Sequence, residues 1–120
     1  MQRIIMKSKL HQARVTETVI DYEGSLAIDQ NLMEATDILP YEQVHIYNIN
    51  NGERFITYAI TADRGSKTIS INGAAARLVQ RNDRIIVVAY GMMDSSEFKS
   101  FHPKVILLDE NNDTVKIVGI

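Results

Sequence analysis

Short apolar runs dominate the chain and predict a series of β-strands. The first run, from Arg3 to Thr18, is rich in branched residues, which predicts one or two strands. Lys67 to Ile71 predicts another strand by the same pattern. Arg84 to Tyr90 is almost continuously apolar, which is typical of a buried strand.

Two further pairs of β-like runs predict hairpins, because a short polar segment separates the members of each pair. Val44 to Ile49 and Arg54 to Ile60 flank the segment 50–53, Asn-Asn-Gly-Glu. An Asn-Gly pair between two strands is a strong hairpin signal, since both residues accept positive φ. Val105 to Leu108 and Thr114 to Val118 flank a second polar turn nearer the C-terminus.

Helical periodicity is confined to three short segments. Asp29 predicts an N-cap and Pro40 a stop for the first of them. Four apolar residues fall on one face of that segment at helical spacing: Ile28, Leu32, Ala35 and Leu39. Gly73 to Val79 predicts one or two helical turns, and Ser95 to Phe101 predicts a short helix before a His-Pro pair. Many short strands with few helices favour a small closed barrel or a sandwich, and periodicity leaves both open.

Composition narrows the class of protein. A length of 120 residues predicts a single domain over 1–120, and the absence of cysteine excludes disulfides, thiolate metal ligands and cysteine nucleophiles. A formal net charge of −2 without a basic stripe argues against nucleic acid, and no apolar run reaches the length of a membrane span. Met1 to Leu10 lacks the apolar core of a signal peptide, so we expect a cytoplasmic protein. His11, His45 and His102 lie too far apart in sequence to predict a metal site.

The dipeptide Gly24-Ser25 is the feature that most directly suggests chemistry. Glycine reaches strained or left-handed backbone geometry that other residues resist, and the serine hydroxyl could attack the carbonyl that precedes it. Such an attack would cut the chain and could convert Ser25 to a pyruvoyl group. A simple turn is the alternative interpretation of a Gly-Ser pair. Tyr22 either shields such a site or is an ordinary core tyrosine.

Segment 54–58, Arg-Phe-Ile-Thr-Tyr, puts two functional groups on one face of its predicted strand. Period-two alternation places Arg54 and Tyr58 on one face and Thr57 on the other. An arginine and a tyrosine together could bind a carboxylate and donate a proton, and a cross-strand pair on a barrel wall is the alternative. Thr57 would reach the same pocket only through a bulge, a strand end or a second subunit. Lys9 and His11 form a similar pair near the N-terminus, where a solvated strand face is the alternative.

Small residues follow Asn72 and precede the second helical segment. Gly73, Ala74 and Ala75 would let the backbone come close to a ligand, and exposed N–H groups at a helix start favour anions. A tight strand-to-helix turn is the alternative. Segment 61–66, Thr-Ala-Asp-Arg-Gly-Ser, predicts a turn with a local ion pair.

In their order and spacing, these segments resemble the family of pyruvoyl-dependent aspartate 1-decarboxylases. Five stretches carry the resemblance over most of residues 3–90: KSKLH (7–11), YEGSLAID (22–29), INNGERFITYAI (49–60), RGSKTISINGAAA (64–76) and NDRIIVVAY (82–90). Two places depart from the family. Tyr47 stands where the family has tryptophan, from which we expect a modest change in pocket shape, and segment 77–78, Arg-Leu, also differs from common members.

The resemblance implies a double-psi β-barrel with short helices, assembled as a homotetramer with active sites between subunits. It implies a lyase that converts L-aspartate to β-alanine and CO2, for pantothenate and hence coenzyme A biosynthesis. The chain would be a zymogen that cleaves itself, with or without a maturation factor, into a β chain 1–24 and an α chain 25–120. The cofactor would be a covalent pyruvoyl group made from Ser25, which binds substrate as a Schiff base. Neither a metal nor pyridoxal phosphate is expected.

The resemblance also implies roles for individual residues. Ser25 and Tyr58 would be catalytic, with the tyrosine as proton donor. Maturation would use Gly24, Ser25, Thr57 and Asn72. Substrate would be bound by Lys9, Arg54, Thr57, Gly73, Ala74 and Ala75. The pocket would be lined by His11, Tyr22, Tyr47, Ile60 and Ile86.

Two other functions compete with this one. A non-catalytic small β-barrel interaction module would keep an intact chain with a turn at Gly24-Ser25. A serine hydrolase would use the Ser25 hydroxyl directly, although spacing identifies no base for it. Survival of the bond between Gly24 and Ser25 in the folded protein separates the three functions.

Overall fold

The computed structural model describes residues 1–119, in which nine strands, two α-helices and one 3-10 helix are found. The strands are β1 (Gln2–Arg14), β2 (Glu17–Val19), β3 (Ser25–Asp29), β4 (Gln43–Asn48), β5 (Arg54–Ala62), β6 (Ile69–Asn72), β7 (Arg84–Asp94), β8 (Lys104–Leu108) and β9 (Thr114–Gly119). The helices are α1 (Gln30–Thr36), α2 (Ser95–Ser100) and the 3-10 helix Gly73–Leu78. The prediction of a mainly β chain with short helices is confirmed. Within this range no helix is both long and apolar enough to cross a membrane.

The nine strands join one mixed sheet in the order β2-β6-β3-β5-β4-β7-β1-β8-β9. Three neighbouring pairs are parallel, namely β2–β6, β3–β5 and β1–β8. The N–H of Val15 donates to the Asp83 carbonyl at 2.9 Å, and the N–H of Thr16 donates to the Ile69 carbonyl at 2.8 Å. The two residues between β1 and β2 therefore hydrogen-bond to the β7 side of the sheet and to its β6 side.

Strand β7 shows how alternation fills the core. Its residues Ile85, Val87 and Ala89 are fully buried, whereas Ile86 and Tyr90 on the other face are only half-buried. Burying a large aliphatic side chain contributes about 1.5–3 kcal/mol. The strand extends beyond its predicted end at position 90 to position 94, because its last residues pair with the start of β1.

The Asp29 side chain fixes the end of β3 and the start of α1. Its carboxylate is buried and accepts hydrogen bonds from the N–H groups of Asn31, Gly65 and Lys67 at 2.8, 3.0 and 2.9 Å. Burial would raise the pKa of this carboxyl, but the three N–H donors together hold that pKa below its ordinary value. The predicted N-cap is confirmed, and β3 is anchored at the end opposite Ser25.

Of the four residues predicted for the buried face of α1, only Leu32 is correct. Ile28 belongs to β3, and Ala35 and Leu39 are exposed. The helix ends at Thr36 because Asp37 takes a left-handed φ of 54°, so the chain stops being helical before it reaches the predicted proline. The residues that α1 buries are Leu32, Met33 and Thr36.

Both predicted hairpins are confirmed as the pairs β4–β5 and β8–β9. The first loop differs in detail from the expected Asn-Gly turn. Gly52 has a φ of 77°, while Asn51 does not take positive φ. The Gly52 N–H donates to the Asn48 carbonyl at 2.9 Å, and the Asn51 side chain accepts from the Glu53 N–H at 2.9 Å. The loop is therefore wider than a two-residue turn.

Only residues 63–66 of the turn predicted over 61–66 form it, because β5 continues to Ala62, and its ion pair is not local. The Ser66 N–H donates to the Asp63 carbonyl at 3.0 Å. Arg64 reaches Glu34 on α1 at 2.7 Å, so the turn docks the helix on the sheet. Lys67 takes a φ of 61°, which delays the strand predicted from position 67 until Ile69.

Asn112 anchors the turn between β8 and β9. Its buried side chain accepts from the Arg14 N–H at 2.7 Å and donates to the carbonyls of Arg14 and Lys67 at 2.9 and 3.0 Å. One side chain thus holds the C-terminal hairpin to the end of β1 and to the segment that leads into β6.

Candidate active site

Ser25 opens β3 and lies beside Asn72 of the neighbouring strand β6. The antiparallel register pairs Ser25 with Asn72 and Ala27 with Ser70, so the three polar side chains share one face. The other face is apolar, and Leu26 on it is fully buried. Ser25, Asn72 and Ser70 are 1%, 4% and 5% exposed, so their polar atoms need partners inside the protein.

These three side chains form one hydrogen-bonded row. The Ser70 hydroxyl donates to Asn72 Oδ1 at 2.9 Å, and Asn72 Nδ2 donates to Ser25 Oγ at 3.0 Å. The Ser25 hydroxyl donates in turn to the Glu23 carbonyl at 3.4 Å, which is a long contact. The row therefore holds Ser25 Oγ in place next to the peptide bond that precedes Ser25.

Gly73 packs its backbone against Gly24. A Cβ on Gly73 would lie 2.6 Å from Gly24 Cα and 2.8 Å from Gly24 N, and Gly73 has a φ of 72°. Both facts require glycine at position 73. Gly24 itself has ordinary φ and room for a side chain, so the expected left-handed or strained geometry is found at Gly73 and not at Gly24.

A cavity of about 580 Å³ opens beside Ser25. Four residues predicted for the site line it: Tyr22, Ser25, Tyr58 and Ile60. Four further lining residues were not predicted: Glu23, Pro40, Tyr41 and Thr61. The volume is that of a typical small-molecule site. Tyr41 was missed because nothing in its local pattern distinguishes it from a turn residue, although its ring centroid lies 6.5 Å from that of Tyr58.

Strand β5 delivers Tyr58 to this cavity and turns Thr57 away from it. The parallel register pairs Leu26 of β3 with Ala59 of β5. Ser25 and Tyr58 each come one residue earlier, so they occupy matching positions on two neighbouring strands. Thr57 is opposite the fully buried Val44 and shares its face. The predicted alternation along β5 is confirmed, and within residues 1–119 Thr57 is not part of the cavity lining.

Arg54 belongs to a second cluster on the outer face of the sheet. Its guanidinium carbon lies 4.7 Å from the centroid of the Tyr47 ring, a cation–π contact. The hydroxyls of Tyr47 and Tyr90 are 2.7 Å apart, and the Tyr90 ring lies 4.8 Å from that of His45. The hydrogen bond with Tyr47 raises the pKa of Tyr90 to about 12. Tyr90 was not among the predicted site residues, although it shares the outer face of its strand with Ile86.

Lys9, His11 and Ile86 extend this outer face. Lys9 pairs with Val88 and alternates with fully buried neighbours on β1, and Ile86 pairs with Tyr47. Burial and the nearby Lys9 ammonium lower the pKa of His11. Within the described chain, none of these residues lines the Ser25 cavity. A single copy therefore presents two separate groups of predicted site residues.

The small residues after Asn72 form the predicted helical turn, which is a 3-10 helix. Gly73 is buried against Gly24, Ala74 is exposed, and Ala75 packs partly on the core. Residues 1–119 contain no cluster of three acidic or histidine side chains that could hold a metal ion.

Comparisons with known proteins show which family the chain resembles. Residues 1–115 match the family model described as aspartate decarboxylase. An aspartate 1-decarboxylase of Thermoanaerobacter pseudethanolicus is 58% identical over 117 residues, which cover 98% of this chain and 100% of the relative. An aspartate 1-decarboxylase of Phenylobacterium zucineum is 56% identical over 93% of this chain and 95% of its own length. An aspartate 1-decarboxylase of Maricaulis maris is 57% identical over 96% of this chain and 95% of its own length.

Proposed function

Because the chain belongs to the aspartate decarboxylase family, we propose that it converts L-aspartate to β-alanine and CO2. Family membership also confirms the predicted double-psi β-barrel, with which the mixed nine-stranded sheet agrees. The observation that carries the proposal is the buried Ser25 hydroxyl, which accepts a hydrogen bond from Asn72 beside a cavity that Tyr58 also lines.

The chain first cleaves itself between Gly24 and Ser25. Ser25 Oγ attacks the Gly24 carbonyl carbon, the C–N bond breaks, and the hydroxyl proton ends on the freed Ser25 nitrogen, which leaves an ester. Loss of the Ser25 Cα proton then breaks the Cβ–Oγ bond and releases the Gly24 carboxylate. Addition of one water and loss of one ammonia convert the remaining dehydroalanine to a pyruvoyl group. The products are a β chain 1–24 and an α chain 25–120.

The residues around position 25 fit a pyruvoyl group. Position 25 is buried yet borders the cavity, which Tyr58 also lines. When present, this ketone supplies a sink for the electrons that the departing carboxylate leaves behind.

The chain's own residues bind and orient aspartate. Arg54, with Lys9, holds the carboxylate that stays, because a planar guanidinium suits two-point carboxylate binding. The Tyr58 phenol protonates the carbon that loses CO2. Ile60 and Ile86 keep water from the departing carboxylate. The backbone of Gly73, Ala74 and Ala75 orients the substrate. Thr57, which faces away from the cavity of its own chain, takes part in maturation and binding at a site shared with a second subunit. The remaining pocket residues are His11, Tyr22 and Tyr47.

The working enzyme is a homotetramer in which neighbouring copies complete each other's sites. Support comes from Arg54 and Lys9, which lie on the outer face and away from the Ser25 cavity of their own chain. The same face exposes Ile56 and Met92, large apolar side chains that a neighbour would cover. A neighbouring copy would bring Arg54 to Ser25 without any change in the fold of either chain.

The tetramer proposal is tested by coexpressing two inactive variants. Ser25→Ala lacks the cleavage site but keeps Arg54, and Arg54→Ala keeps Ser25. Shared sites predict that mixed tetramers recover part of the β-alanine formation, because some sites then combine an intact Ser25 with an intact Arg54. A site built within one chain predicts no recovery.

We place the product in pantothenate and coenzyme A biosynthesis and the enzyme in the cytoplasm, and a maturation factor is not required by the chemistry above. The activity is tested by incubating the protein with L-aspartate and measuring β-alanine. Ser25→Ala should stay full-length and inactive, and the buried Ser8→Ala should match the wild type. An intact, inactive wild-type chain would favour the interaction module, and cleavage of Ser25→Ala would refute the mechanism.

A further inference from the structure

Ser70 is a buried serine that borders the site without touching the cleaved bond. It is 5% exposed and lies two residues before Asn72 on β6. Its hydroxyl donates to Asn72 Oδ1 at 2.9 Å. Period-two alternation alone puts Ser70 on the face of Asn72, but one serine in a strand is not by itself a signal of function.

The contact decides which end of the Asn72 carboxamide faces Ser25. With Nδ2 toward Ser25, the row contains three hydrogen bonds: Ser70 to Asn72, Asn72 to Ser25, and Ser25 to the Glu23 carbonyl. With the carboxamide reversed, Ser25 would donate to Oδ1 instead of the Glu23 carbonyl, and Nδ2 would donate to Ser70. That arrangement contains only two hydrogen bonds. The Ser70 proton would then have no acceptor, a cost for a buried group.

We propose that Ser70 is a positioning residue for self-cleavage, because its hydroxyl keeps the Asn72 N–H directed at Ser25 Oγ. This inference rests on the proposed cleavage between Gly24 and Ser25. The Asn72 N–H fixes Oγ beside the Gly24 carbonyl before attack. When Oγ later leaves Cβ as part of the Gly24 carboxylate, the same N–H stabilises the negative charge that develops on it.

The role of Ser70 is confined to maturation. Oγ leaves with the Gly24 carboxylate, so the contact that Ser70 protects no longer exists on the mature α chain. Loss of the Ser70 hydroxyl should slow cleavage about tenfold, the factor that corresponds to one buried hydrogen bond. Turnover per cleaved chain should change less than about twofold, because loss of the Ser70 hydroxyl then affects only the packing around position 70.

The experiment follows the full-length chain after cell-free synthesis by intact mass under denaturing conditions. Ser70→Ala is compared with Ser70→Thr, which restores a hydroxyl, and Ser70→Val, which has the shape of threonine without it. Ser8→Ala is the matched control, because Ser8 is fully buried and its hydroxyl has no partner within residues 1–119. Melting temperatures of all variants are measured alongside.

The expected result is slow cleavage in Ser70→Ala and Ser70→Val and near wild-type cleavage in Ser70→Thr and Ser8→Ala. If Ser70→Ala does not fold, the threonine and valine variants decide, since they differ only in the hydroxyl. Equal cleavage rates in that pair would overturn the role of Ser70 while leaving the proposed function intact. An uncleaved wild-type chain would overturn both.

Discussion

Replacing Gly73 with alanine is expected to block self-cleavage through a steric effect on Gly24. The new Cβ would lie 2.6 Å from Gly24 Cα and 2.8 Å from Gly24 N, so the backbone at Gly24 must move by roughly 1 Å to reach ordinary van der Waals separation. A misplacement of about 1 Å at a reacting group can slow its reaction roughly 100-fold. Alanine at a φ of 72° adds about 1–2 kcal/mol of conformational strain.

Gly52→Ala separates these two effects. Gly52 has a similar φ of 77°, but a Cβ there would meet nothing within 4 Å. Both variants should lose stability in thermal melts, and only Gly73→Ala should lose cleavage in a time course of intact mass. Wild-type cleavage in Gly73→Ala would refute the reasoning. Equal slowing in the two variants would show that cleavage follows global stability rather than local contact.

Three other perturbations test separate parts of the account. Tyr58→Phe should still cleave but form β-alanine about 100-fold more slowly, because it lacks the proposed proton donor; unchanged turnover would remove that role. Asn112→Ala should lower the free energy of unfolding by about 2–4 kcal/mol in denaturant titrations because three hydrogen bonds are lost, while the exposed Asn111→Ala should change it by less than about 0.5 kcal/mol. Asp29 has a folded-state pKa below its unfolded value, so the stability it contributes is present above about pH 4 and is lost as pH falls toward the folded pKa. The free energy of unfolding of Asp29→Asn should therefore fall less than that of the wild type as the pH is lowered. The same pH dependence in both proteins would contradict the lowered pKa of Asp29.

Alternation and turn chemistry were sufficient to predict most strands. The pattern along segment 54–58 gave the correct faces for Arg54, Thr57 and Tyr58, because a strand has only two faces and one of them packs on the core. Spacing was not sufficient to predict the buried face of α1. Ile28, the first residue assigned to that face, lies in strand β3. Spacing alone does not show where the two-residue period of a strand ends and the 3.6-residue period of a helix begins.

The site was harder to predict because it depends on strand order. No local pattern shows that β3 lies between β5 and β6, yet that order puts Ser25 beside Asn72 and near Tyr58. The close approach of Gly73 to Gly24 could not be predicted without the tertiary structure. The sequence does not show which of the two glycines must lack a side chain, and the structure shows that it is Gly73.

The mass of the purified protein under denaturing conditions tests the central claim most directly. Self-cleavage predicts two fragments, residues 1–24 and residues 25–120, with the larger one lighter by one ammonia than a chain that begins with serine. A single full-length mass that persists through prolonged incubation, together with no β-alanine from L-aspartate, would contradict the account.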